Sequence, residues 1–123
     1  MSVLVVDDYA DLRSLIVAFL NAYSPFQVVG EAQNGSEALG MVEQLKPQIV
    51  IMDIFMPVMD GFTATRLIKE QHPDVYVILY SGGGEEENLS KIKEAKADLY
   101  LAKPLDLEKL VDKMNELSLA MDG

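Results

Sequence analysis

The sequence predicts an α/β fold built on a parallel sheet, and three observations lead there. Short apolar runs alternate five times with stretches of helical periodicity, the chain pattern of successive βα units. The run Ile49-Val50-Ile51-Met52 is apolar throughout, as a central parallel strand covered on both faces should be. The length of 123 residues suits one domain with a hydrophobic core that needs no disulfide or metal staple.

Taken in order, Val3 to Val6 reads as the first strand. Leu12, Leu15, Ile16, Phe19 and Leu20 then recur at helical spacing. Phe26 to Glu31, rich in valine, is the second strand, and Asn34-Gly35-Ser36 opens a helix facing inward through Leu39, Val42 and Leu45. Pro47 ends that helix, and Ile49 to Met52 forms the third strand. Asp60-Gly61 begins a third helix with Phe62, Thr65 and Ile68 on one face, closed by His72-Pro73. Val75 to Tyr80 is the fourth strand. A glycine-rich acidic loop, Gly82 to Glu87, leads to a weaker helix carrying Leu89, Ile92 and Ala95. Leu99 to Ala102 is the fifth strand, and Leu107, Leu110, Val111, Met114 and Leu117 stripe the last helix. Ser118 to Gly123 is expected to fray or to begin a linker.

Composition narrows the function. The longest apolar runs have strand length, far short of the roughly 20 residues of a membrane span. No basic region precedes an apolar stretch at the N-terminus, which argues against a signal peptide. A chain without cysteine has no disulfide and no thiolate metal site, and fits a reducing cytoplasm. The net charge of −10 repels phosphate backbones, so direct binding of nucleic acid is not expected.

In a parallel sheet of this kind ligands sit beyond the carboxyl ends of the strands. There the sequence places Asp7 and Asp8 after the first strand, Asp53 after the third, Ser81 after the fourth and Lys103-Pro104 after the fifth. Singly, an aspartate before a helix is as readily an N-cap, a serine a turn residue and a lysine a solvated charge. Together they make a constellation. Crowded carboxylates raise one another's proton affinity, and a hard divalent cation such as Mg2+ relieves the repulsion. A lysine and a hydroxyl beside that cation can cradle a phosphoryl group, whose transfer depends mainly on positioning and charge neutralisation. Asp53 is then the nucleophile.

Val-Val-Asp-Asp at 5–8, Met-Asp-Ile-Phe-Met-Pro-Val-Met-Asp-Gly at 52–61, Ser81 and Lys103-Pro104 stand in the order and spacing of response-regulator receivers, which the chain resembles over essentially its whole length. The resemblance implies a doubly wound (βα)5 flavodoxin-like fold, a five-stranded parallel sheet of order 2-1-3-4-5 with helices on both faces. It implies that Asp53 accepts phosphate from a phosphohistidine on a sensor histidine kinase or phosphotransfer protein. Asp8, Asp53 and the backbone carbonyl of Phe55 would bind Mg2+ directly, and Asp7 mostly through water. Lys103 would pair with the phosphoryl oxygens, and its bond to Pro104 would be cis. Ser81 and Tyr100 would form a switch: the serine moves toward the phosphoryl group and the tyrosine turns into the vacated space. That remodels the face of the fourth helix, fifth strand and fifth helix for a downstream target, an effector domain or a phosphorylation-dependent homodimer. By this reading the domain catalyses its own phosphorylation and dephosphorylation and is not a turnover enzyme. His72 is the only histidine, so the donor is external.

The sequence departs from the family in places. Lys96 and Leu99 stand where receivers usually carry glycines, so the turn after the fourth helix is expected to differ or to be strained. Gly82-Gly83-Gly84 raises the cost of ordering the loop after Ser81, and Gly83 offers no side chain to orient a hydrolytic water. Phe55 is expected to shield the site. A pseudo-receiver would have lost Asp53, Lys103 or an acidic partner, and all are present. An aspartyl-nucleophile phosphatase would carry its nucleophile on the first strand with a second aspartate two residues on, a spacing Asp7-Asp8-Tyr9 lacks. No G-x-G-x-x-G or Walker sequence follows the first strand.

Overall fold

A computed structural model of the chain describes residues 1–82 and 85–122, with the side chains of 85–87 and 121–122 left aside. Its elements run β1 (Ser2–Val6), α1 (Ala10–Tyr23), β2 (Gln27–Ala32), α2 (Gly35–Leu45), β3 (Ile49–Asp53), α3 (Gly61–Gln71), β4 (Tyr76–Ser81), α4 (Glu85–Ala95), β5 (Leu99–Ala102) and α5 (Leu107–Asp122). All strand pairs are parallel and the order is β2-β1-β3-β4-β5, as the resemblance implied.

The alternation of side chains along a strand explains why the runs are apolar throughout. Val3, Val5, Ile49, Ile51, Ile78 and Tyr80 face a core completed by Ile16 and Leu20 of α1 and Leu110 and Met114 of α5. Leu4, Val6, Val50, Met52, Val77 and Leu79 face the other core, completed by Ala38 and Val42 of α2 and Ala64 and Ile68 of α3. With both faces covered, no strand position needs to be polar until the strand ends.

The helix starts follow their caps. The Asn34 side chain accepts the Glu37 N–H at 2.9 Å while Glu37 accepts the Gln33 N–H at 3.2 Å, a reciprocal capping arrangement for α2. Asp60 accepts the Thr63 N–H at 2.7 Å and so caps α3.

Several expectations need correction. Leu45, expected on the inward face of its helix, is 43% exposed, and Leu15 and Leu89, which fit the helical period of theirs, are 55% and 43% exposed. On α1, Leu15 lies on the flank of a stripe already filled by Leu12, Ile16, Phe19 and Leu20. Leu45, in the last turn of α2, lies over Gly30 of the edge strand β2 with water beyond it. On α4 the inward positions are Asn88, Ile92 and Ala95, which leaves Leu89 turned outward. Helix α4 begins at Glu85, so residues 85–87, read as loop, belong to it. Gly83 and Gly84 lie outside the described residues. Strands β2 and β4 begin and end one residue later than expected, and α5 continues through Ser118 to Asp122.

The turn after α4 keeps the left-handed shape that glycine normally relieves. Lys96 takes φ 64°, and the Ala97 N–H bonds back to the Ile92 carbonyl at 3.4 Å. The substitution therefore changes the strain and not the path of the chain.

One contact ties α3 to the strand that matters most. A Cβ at Gly61 would meet the Asp53 carbonyl oxygen and lie 2.9 Å from Ile54 Cα, and the Gly61 N–H donates to the Ile54 carbonyl at 2.7 Å. The glycine lets the helix start abut the end of β3. Gly61→Ala should therefore cost about 2–3 kcal/mol by overpacking against backbone that cannot yield. Urea unfolding measures this, and a loss below about 0.5 kcal/mol, the scale of an ordinary surface change, would show that the contact is not limiting.

Candidate functional site

The strand order reverses direction between β1 and β3, and at that point the strands deliver their polar residues. Val6 pairs with Met52, so Asp7 and Asp53 leave neighbouring strands side by side. Asp53 pairs with Tyr80, and Ser81 pairs with Ala102, the residue before Lys103. Carboxylate oxygens of Asp7, Asp8 and Asp53 lie within 4.8 Å of one another. The Lys103 ammonium is 3.6 Å from Asp53 Oδ2. The bond from Lys103 to Pro104 is cis, and the Lys103 N–H donates to the Ser81 carbonyl at 2.8 Å.

The three carboxylates are not equivalent. Asp7 is fully buried, Asp53 is 5% exposed and Asp8 is exposed. Burial raises the Asp53 pKa from 3.8 to about 6; the Asp7 charge adds to the rise, and Lys103 and the Ile54 N–H oppose it. Asp53 is thus a carboxylate whose charge the metal-free fold accommodates poorly. An all-oxygen donor set with this repulsion fits a hard divalent cation.

Asp7 is held on every side. Its Oδ1 accepts the Tyr9 N–H at 2.9 Å, its Oδ2 accepts the Tyr80 hydroxyl at 2.6 Å, and its carbonyl accepts Arg13 Nη1 at 2.7 Å. Arg13 also pairs with Glu31 at 3.1 Å, joining α1 to the end of β2. The Tyr80 hydroxyl keeps its proton far above the usual phenol range, because it is buried and bonded to Asp7. Neither Tyr80 nor Arg13 was singled out from the sequence. Tyr80 is the last residue before Ser81 in an otherwise apolar run, and only its polar tip at a strand's carboxyl end signals a role.

Ser81 is fully buried at the end of β4, and Tyr100 is half-buried with its hydroxyl 3.5 Å from the Ser81 carbonyl. The Phe55 side chain is 58% exposed, so it stands on the rim of the site. Gly83, the other position expected to tune hydrolysis, lies outside the described residues. Among the described residues no helix is long and apolar enough to cross a membrane.

Comparison with known proteins agrees with this fold. The family model for the response regulator receiver domain matches residues 3–115. The chain is 36% identical over 115 residues to the chemotaxis protein CheY of Halobacterium salinarum, covering 94% of each. It is 32% identical over 118 residues to the response regulator protein VraR of Staphylococcus aureus, covering 96% of this chain and 56% of that relative. The crystal structure of a LuxR-family DNA-binding response regulator from Staphylococcus aureus superposes with a TM-score of 0.88 at 27% identity, covering 94% of this chain and 96% of that one.

The raised Asp53 pKa carries a stability consequence with a defined sign. The folded state binds the Asp53 proton more tightly than the unfolded chain, so ionisation weakens the fold; the penalty is absent below pH 3.8 and complete above about 6. Asp53→Asn should then stabilise the metal-free protein by about 3 kcal/mol at pH 7.5, with the gain fading toward pH 4. Urea unfolding of both proteins across that range in a chelating buffer measures it; a constant difference would contradict the assignment.

Proposed function

The chain belongs to the response-regulator receiver family and acts in phosphorylation-dependent two-component signalling; within that role we propose that Asp53 is the phosphoacceptor of a single receiver domain spanning residues 1–123. The observation that carries this is the convergence of Asp7, Asp8, Asp53 and Lys103 at the rim of the sheet. An Asp53 carboxylate oxygen attacks the phosphorus of a phosphohistidine on a sensor kinase or phosphotransfer protein. The P–N bond breaks, and the imidazole leaves with the electron pair. Above pH about 6 Asp53 is mostly ionised and competent for this attack.

Asp8, Asp53 and the Phe55 carbonyl would hold Mg2+, with Asp7 acting through water. When bound, the ion neutralises the carboxylates and supplies positive charge to the transferring group. Lys103, already facing Asp53, holds one phosphoryl oxygen, and the Ser81 hydroxyl holds another. As Ser81 moves toward the phosphoryl group, Tyr100 turns into the space it leaves. This biases two packings of the α4-β5-α5 face, as a population shift. The output is a downstream target protein, an effector domain or a homodimer, in the cytoplasm. The domain is a signalling switch and not a turnover enzyme.

Incubation with acetyl phosphate and Mg2+, followed by intact mass measurement, tests the proposal. One phosphoryl mass gain is expected that requires Mg2+ and disappears in Asp53→Asn. A protein that binds Mg2+ yet gains no phosphoryl mass and forms no beryllofluoride complex would contradict it.

A further inference from the structure

We infer that Tyr80 is a positioning residue for the acidic site, its hydroxyl holding Asp7 in the orientation that sets how tightly the carboxylates bind a divalent cation. The inference rests on the Mg2+-dependent reading above and adds to it a residue that makes no contact with the phosphoryl group.

Tyr80 is on β4 and Asp7 follows β1, with β3 between them. Its ring is fully buried in the core shared by α1 and α5, among Val5, Ile16, Leu101 and Leu110. Packing alone would be met by phenylalanine or leucine there, and neither would bring a hydroxyl that must find a partner once buried. That partner is Asp7, 73 residues away in sequence, at 2.6 Å. The distance is in the range of a charge-assisted O–H···O⁻ bond. With Oδ1 bonded to the Tyr9 N–H, the Asp7 carboxylate cannot rotate without losing both bonds.

The same ring also touches the opposite charge. The Lys103 ammonium lies 5.4 Å from the ring centroid, within cation–π range, while it reaches Asp53 at 3.6 Å. Tyr80 therefore supports both the acidic and the basic side of the site from below. Tyr80→Phe keeps the ring face and its packing and removes only the hydroxyl, which separates the two contacts. Freed of one of its two donors, the buried Asp7 carboxylate turns away from the orientation that faces Asp8 and Asp53. Partners that orient metal-binding groups typically contribute about 10–100-fold in affinity.

Isothermal titration of the unphosphorylated protein with Mg2+ alone reads this without reference to phosphotransfer. Tyr80→Phe should weaken Mg2+ binding about tenfold. In an Asp7→Asn background the same change should have no further effect, because the hydroxyl acts through the carboxylate. Parent and Tyr80→Phe proteins with equal Mg2+ affinity, tighter binding in the variant, or an undiminished effect in the Asp7→Asn background would overturn the inference alone. A parent that binds no Mg2+ would overturn the functional reading beneath it as well. Should the variant fold poorly, proton NMR of the parent answers the same question. The Tyr80 hydroxyl proton should exchange slowly and shift as Mg2+ is added; fast exchange, or a resonance indifferent to Mg2+, would overturn the proposal.

Discussion

Electrostatic crowding at the carboxyl rim of the sheet is the constraint on which the rest of the molecule depends. Asp53 is almost wholly buried at the end of a central strand, with Asp7 and Asp8 within 4.8 Å and the Lys103 ammonium opposite. Burying a charge among like charges is unfavourable unless fixed partners compensate. The fold provides them only in part, and the remainder gives a cation and a phosphoryl group something to stabilise.

The scaffold meets that constraint through rigidity. Strands packed on both faces leave little freedom at their ends. Gly61 brings the start of α3 against the backbone of Asp53 and Ile54, Arg13 ties the Asp7 carbonyl to α1, and Tyr80 secures the Asp7 side chain from inside the core. The residues proposed as the switch are placed differently. Ser81 ends β4 beside Lys103, and half-buried Tyr100 sits next to it on β5, the edge strand of the sheet. A fixed acidic cluster beside a more loosely packed edge is a physical basis for a two-state switch.

Much of this was legible in the sequence because its physics is local or periodic. A strand covered on both faces must be apolar along its length, so Ile49 to Met52 announced the centre of the sheet. Asn34 and Asp60 announced helix starts because short polar side chains cap exposed N–H groups. The acidic cluster was legible only in combination, since each aspartate alone reads equally well as a cap. Helix faces were less legible: Leu15, Leu45 and Leu89 fit the helical period but lie where the sheet has already been covered or has ended. Asn88 took an inward position on α4 that hydrophobicity would not assign to it. Lys96 shows the converse, since tertiary context imposes a left-handed residue that local preference opposes. Tyr80 was hidden for a different reason. Its ring satisfies the apolar pattern of β4, while its function resides in one oxygen whose partner is distant in sequence and two strands away.

If uncompensated carboxylate charge is the organising feature, then Mg2+ must stabilise the folded chain in the absence of any phosphate. Equilibrium urea unfolding at pH 7.5 over a series of Mg2+ concentrations measures this directly. The unfolding free energy should rise by about 1.4 kcal/mol for each tenfold increase in Mg2+ beyond half-saturation. An unfolding free energy independent of Mg2+ would contradict the account at its base.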